Sequence, residues 1–377
     1  MNLRRTKAVA KKEFLHILRD PRSLLLALAM PLLMLLLFGY GLTLDVDRIP
    51  TVVYDSDKTP ESRELIARFQ GSRYFQILAS VDDYRGIEKR IDQDQCLLGV
   101  VIPRDFARDL LAGRAPQVQL IFDGSDSNTA SIASGYADAL MQVYAAGVRA
   151  RALDRKGGGK LNPPVDGRLR VLYNSELKSR NFIVPGLIAV ILAIITALIT
   201  SLTIAREWEA GTMEQLLSTP LRPSEIVLGK MLAFFALGFI DMAISIVVGV
   251  FIFQVPLRGN LLLLISATCL FLLGSLGWGI FISAAARSQV LAYQLGVLSS
   301  FLPAFLLSGF IYSIENMPAV IRVITHIVPA RYFVTILKGV FLKGVGLHVL
   351  WVDFVFLFVF AVLVFLAATR ILRQKVA

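Results

Sequence analysis

The chain has 377 residues, 55% of them apolar, with a formal charge of +11. The apolar share exceeds the usual globular one and is gathered into long runs separated by polar stretches, which is a membrane pattern. The positive charge does not point to nucleic acid, because it crowds beside the apolar runs: Arg4, Arg5, Lys7, Lys11 and Lys12 precede the first, and Arg370, Arg373 and Lys375 follow the last. Cys96 lies in a polar region and Cys269 inside an apolar run, so no internal disulfide is predicted, and the scattered histidines have no metal-ligand spacing.

Residues 1–22 read as a cytoplasmic interfacial helix. Phe14, Ile17 and Leu18 share one face, with Lys11, Lys12 and Arg19 around it. Asp20 and Pro21 then read as the cap and first position of a new helix. Residues 23–44 form a retained first span rather than a signal, since the run is too long and lacks a small-residue cleavage site. Pro31 is placed to kink it. Residues 45–178 are polar. Strands are predicted at 49–54, 75–81, 97–102 and 118–122, with helices at 61–69, 84–93 and 105–111 between them. That alternation gives an α/β domain with a sheet at least partly parallel. A long helix over 127–153, a loop at Gly157–Gly159 and Asn162–Pro164, and a last strand at 169–173 complete it. The Asp123–Asn128 stretch reads as a turn and helix cap.

Residues 179–377 form the membrane domain. Spans are predicted at 181–205, 224–254, 260–285, 289–313 and 348–370, six in all with the first. Six spans put the basic N-terminal segment, the 206–223 loop, the Arg287 turn and the C-terminal tail on one side, which the positive-inside rule makes cytoplasmic. Residues 314–347 are interrupted by Pro318 and Pro329 and carry Arg322, Arg331, Lys338 and Lys343, so they read as two short helices dipping into the outer leaflet. The fold class is therefore an α-helical polytopic membrane protein of six transmembrane helices. An extracytoplasmic α/β domain sits between the first two, and both termini are cytoplasmic.

Arg206–Lys230 reads REWEAGTMEQLLSTPLRPSEIVLGK. Residues 206–217 are mostly good helix formers and end before Pro220, which predicts one short helix. Glu207, Glu209 and Glu214 offer it charge toward a basic partner, Met213, Leu216 and Leu217 an apolar stripe, and Trp208 an interfacial anchor. No P-loop exists: Gly229-Lys230-Met231 lacks the earlier glycine and the hydroxyl, and Lys160 is followed by Leu161. Asp241, inside the third span, reads either as a functional intramembrane acid or as a helix-packing hydrogen bond. Tyr332 and Phe333, beside Arg331, read as an aromatic belt or a substrate gate.

The 206–220 segment closely resembles the signature of ABC type-2 permeases, especially their drug-export branch. The matching residues are Glu207, Glu209, Gly211, Thr212, Glu214, Gln215, Leu216, Thr219 and Pro220. Lys12–Pro21 (KEFLHILRDP) looks like the amphipathic leading helix of that family, and residues 307–343, with LSGFIYSIENMP and PARYF, look like its external re-entrant helices. The resemblance implies a coupling helix at 206–220, including Arg206 and Trp208, that contacts a separate ABC ATPase carrying the ATP and Mg. This chain would bind no cofactor and be no enzyme by itself. It also implies a second permease copy or a paralogue, a substrate path to which Asp241, Tyr332 and Phe333 are the candidates, and a multi-pass place in a bacterial inner membrane. The exported substrate would be hydrophobic or amphipathic, drug-like or lipid-like, and a periplasmic membrane-fusion adaptor is a further expected partner. An ion-coupled secondary transporter and a membrane-anchored binding or assembly module are the competing classes.

Overall fold

The structure, a computed structural model, describes residues 2–42, 47–155, 173–174 and 178–376. The chain divides into two units, Met1–Thr43 with Arg170–Ala377, and Leu44–Leu169. The expected glycine loop lies outside the described residues, as does all but the last residue of the expected 169–173 strand.

Helix α1 (Leu3–Arg19) starts at Asn2, whose side chain accepts the Arg4 N–H. Its buried residues are Thr6, Val9 and Glu13, at i, i+3 and i+7. The face expected to be apolar turns away from them: Phe14 and Leu18 are exposed and Ile17 is half-buried. Helix α2 (Pro21–Gly41) begins directly after Asp20 and runs through Pro31 unbroken. Its 21 residues reach about 30 Å, the thickness of a bilayer core.

The second unit alternates β1 (Ile49–Asp55), α3 (Pro60–Gln70), β2 (Phe75–Ser80), α4 (Tyr84–Asp92), β3 (Leu98–Ile102), α5 (Phe106–Leu111), β4 (Gln119–Phe122) and α6 (Ser127–Arg155). The sheet order is β2-β1-β3-β4. Strand β1 pairs parallel with β2 and β3, and β4 closes the edge antiparallel to β3. Alternate residues of β1 point to opposite faces. Ile49 and Val53 pack with Leu65, Phe69, Phe106 and Ala137, while Val52 packs with Ile87 and Cys96. Covering both faces explains why the strands read as short apolar runs. Asp123 makes the expected turn, its Oδ1 accepting the Ser125 N–H at 2.8 Å.

The first unit continues with α7 (Ser179–Ser201), α8 (Thr203–Glu209), α9 (Thr212–Leu217), α10 (Pro223–Val247), α11 (Leu261–Ala286), α12 (Gln289–Leu306), α13 (Ala319–Thr325), α14 (Pro329–Lys338) and α15 (Leu347–Val376). Among the described residues, five runs are long and apolar enough to cross a membrane: Ser179–Glu209, Pro223–Ile252, Leu261–Ala286, Gln289–Leu306 and Leu347–Gln374. Three span ends differ from the sequence reading by four residues or more. The second span continues through α8 to Glu209 rather than 205, the fifth stops at Leu306 rather than 313, just before Gly309 takes φ +76°, and the sixth continues to Gln374 rather than 370. Helices α13 and α14 are bent by 81° about their break, consistent with two short helices in place of a straight span.

Helix α7 is apolar all round and sits at the centre, against α2, α10, α11, α12 and α14. Small residues let the backbones approach. A Cβ at Gly279 of α11 would meet Thr200 Oγ1 and stand 2.5 Å from the Ala197 carbonyl oxygen. Gly279→Ala should therefore wedge α7 from α11 and destabilise the bundle by about 1–3 kcal/mol. Thermal melting of the detergent-purified chain should fall accordingly. Gly135→Ala, where a Cβ meets open space on α6, should not lower it.

Candidate functional site

Between Ser201 and Thr203 the helical ladder breaks, leaving amide N–H groups without intrahelical partners. Ser283 Oγ, from α11, accepts the N–H groups of Ile204 and Ala205, both at 2.9 Å. Helix α8 is thereby fixed to the bundle. The predicted single helix over 206–217 is not what forms. The helix ends at Glu209, Gly211 takes the left-handed conformation (φ 68°, ψ 3°), and α9 begins at Thr212. The physical reason is a glycine helix stop: only glycine adopts that conformation without strain, and it redirects the chain. Thr212 Oγ1 donates back to the Glu207 carbonyl at 3.4 Å, tightening the turn. Glu207 and Gly211 therefore do not share a helical face.

Glu207 does not face outward either. It is buried, and its Oε1 lies 2.8 Å from Lys12 Nζ and 3.1 Å from Lys230 Nζ. Glu13 Oε1 is 3.0 Å from both of the same ammonium groups. Lys230 is 1% exposed. Two carboxylates and two ammonium groups thus form a balanced cluster joining α1, α8 and α10, which is how buried charge is tolerated. Burial alone would raise the Glu13 carboxyl, but the Lys230 ammonium, aided by Lys12, outweighs it and holds Glu13 below the usual carboxylate range. Two further ties bind α1 to this corner. The Arg5 guanidinium donates to the Pro220 carbonyl, and the Asn2 N–H donates to Glu225 Oε1 at 2.6 Å.

The other motif residues divide between internal bracing and exposure. Glu209 receives the Gln289 backbone N–H at 2.8 Å and its side-chain amide at 2.5 Å, so it caps α12. Arg206, Gly211, Thr212, Glu214, Gln215, Thr219 and Pro220 are exposed. Met213, expected on an offered apolar stripe, is fully buried with Ile204, Ile226 and Ile280; Leu216 packs at its edge, and the Leu217 side chain lies outside the described set. Trp208 is half-buried beneath the Arg287 guanidinium, 5.2 Å from its ring centroid. Of the three glutamates, Glu207 is buried, Glu209 is exposed but engaged with Gln289, and Glu214 is exposed with no such tie. Sequence reasoning missed Glu13 and Lys230 as members of the buried Glu207 cluster. The available signal was a lysine lying inside the apolar third span.

Asp241, on α10, is 2% exposed, and no hydrogen bond reaches either carboxylate oxygen. The expected packing bond is absent among the described residues. The acid instead lines a small cavity with Thr196, Ile199, Phe234 and Leu276. Phe333 is buried and stacked on Phe271 at 4.1 Å, inside the bundle core. Tyr332 stacks on Phe356 at 3.8 Å and donates its hydroxyl to the His326 carbonyl at 2.9 Å. These three candidates are on separate contacts.

Comparison with known proteins agrees with this architecture. The profile described as ABC-2 family transporter protein matches residues 22–370. The chain is 39% identical to "Probable multidrug ABC transporter permease YbhS" of Escherichia coli (strain K12), over 96% of this chain and 95% of that one. It is 32% identical to "Probable multidrug ABC transporter permease YbhR" of the same organism, over 97% of each. "Inner membrane transport permease YhhJ", also from that organism, is 26% identical over 81% of this chain and 80% of its own length. A multi-pass bundle and family-wide similarity along nearly the whole chain lead to one statement: this protein belongs to the ABC-2 family of transporter permeases.

Proposed function

We propose that this permease is the membrane subunit of an ATP-driven exporter and that a separate ABC ATPase docks on the α8–α9 turn. The observation that carries this is the turn itself. Gly211, Thr212, Glu214 and Gln215 are exposed on a helix–turn–helix whose inner side is held to α1, α10 and α12 by Glu207 and Glu209. A push on such a turn reaches three helices through hydrogen bonds and ion pairs rather than through a loose loop. The chain would work as a dimer with a second copy or a paralogue, with both termini and the turn cytoplasmic and the α/β unit outside. The substrate would be hydrophobic or amphipathic, drug-like or lipid-like, and the word multidrug in the names of two relatives supports the drug-like choice. The purified permease alone should hydrolyse no ATP, and a cysteine placed at Glu214 should cross-link to a co-purified ATPase. Hydrolysis by a preparation free of other chains would sink the reading. Flux driven by an ion gradient without ATP would instead favour a secondary transporter.

The pathway is tested at Asp241. A buried carboxyl with no partner destabilises a fold by about 1–3 kcal/mol, so Asp241→Leu should raise the melting temperature of the purified permease. If the acid serves transport, the same variant should lose flux. A variant that is stabilised and still transports normally would remove Asp241 from the pathway.

A further inference from the structure

Helix α1 has one buried and one exposed face. Thr6, Val9 and Glu13 are buried in the contact with α10. About 130° round the helix, at 100° per residue, Leu3, Lys7, Lys11, Phe14 and Leu18 form one exposed stripe, with Arg4 beside it. Leu3 is 79% exposed, Phe14 42% and Leu18 50%. Arg5 and Lys12 are engaged with Pro220 and the charge cluster, whereas Arg4, Lys7 and Lys11 make no ion pair among the described residues. Uncompensated cations and large apolar side chains thus share a stripe. A soluble polyanion would satisfy the cations and leave Leu3, Phe14 and Leu18 in water. A bilayer surface with anionic headgroups satisfies both. Asp20 alone separates α1 from α2, which keeps the stripe at the edge of the first span.

We infer that this stripe docks anionic phospholipid. The docked helix would then steady the Lys12–Glu13–Glu207–Lys230 cluster, so that stimulation of the ATPase depends on anionic lipid. The second step rests on the coupling role proposed above; the first does not. Each basic residue near an anionic surface strengthens association roughly fivefold, so three act strongly together, and added salt weakens them.

Two measurements test this. In the first, the permease alone sits in vesicles of phosphatidylcholine and phosphatidylglycerol, and spin-labelled lipid reports which lipid is held at its surface. Preference for phosphatidylglycerol is expected, and R4Q/K7Q/K11Q should reduce it several-fold. Equal preference in both proteins overturns the docking. In the second, the permease–ATPase complex is reconstituted in phosphatidylcholine with or without phosphatidylglycerol. Several-fold stimulation by phosphatidylglycerol is expected in the wild type and not in the triple variant. Equal activity in both membranes, or equal stimulation by inorganic phosphate, overturns the lipid dependence. Loss of the ATPase from every preparation would refute the coupling reading, while the spin-label preference would still judge the docking.

Discussion

Lys230→Met should loosen the junction of α1, α8 and α10 more than any other single change at the candidate site. The methionine fills the space but leaves Glu13 and Glu207 buried around Lys12 alone, which is itself half outside. Removing one member of a buried ion pair destabilises by about 3–5 kcal/mol, because the remaining charge has lost its compensation. Glu207→Gln should act in the same direction from the other side, leaving Lys230 and Lys12 to share Glu13. The double variant should be better than the sum of the two, since Lys12 and Glu13 remain a balanced pair. Melting curves of the purified permease measure all three. Strict additivity would show that Glu207 and Lys230 do not interact.

The pH dependence has a definite sign. In the wild type the Glu13 carboxyl is held low, after burial is outweighed by Lys230 and Lys12. Its stabilisation is therefore present above the ordinary carboxylate pKa and lost as pH falls through the lower folded value. In Lys230→Met the main compensating cation is gone, and Lys12 alone opposes the effect of burial on Glu13. Its deficit relative to wild type should then shrink as the buffer is acidified. A deficit that grows on acidification would contradict the assignment of Lys230 as the partner.

Why was this cluster not legible when the strands were? β1 to β4 announce themselves within windows of a few residues, because burial of alternate positions and intervening helical stretches are local patterns. The apolar spans do the same. Lys12 and Glu207, by contrast, stand 195 positions apart, and Glu13 and Lys230 stand 217 apart. Nothing in a single sequence pairs them. Lys230 stood out as a lysine near the start of an apolar span but with no partner in view, and Glu207 was one acid among three. Burial separates those acids: Glu207 turns inward, Glu209 caps α12, and Glu214 stays out. On α1 the apolar residues were legible but not which face would be occupied. The helix puts Val9 and Glu13 against α10 and leaves Phe14 and Leu18 uncovered. Gly211 carried a local signal, glycine after a run of helix formers, but that signal also fits a close-approach position inside one helix.

The second large effect is expected at Gly211, and it separates two roles that the same glycine could play. Its φ of 68° is left-handed, and a Cβ there would meet nothing within 4 Å. A substitution inside this chain is therefore opposed by backbone conformation alone, not by crowding. A β-branched side chain is strained in that region by about 1–2 kcal/mol or more, whereas asparagine tolerates it. Gly211→Val should straighten or shift the turn and swing α9, with Glu214 and Gln215, away from its present position. ATP hydrolysis by the reconstituted complex should then uncouple from transport, although the spans insert as before. Gly211→Asn keeps the conformation and adds a small side chain. If the glycine serves only to shape the turn, Asn should restore most of the coupling. If the ATPase also packs its backbone against this exposed point, Asn should fail as Val does, and co-purification of the ATPase should fall with it. Normal coupling in the Val variant would mean that the turn does not transmit the stroke, and the α8–α9 segment would lose its proposed role.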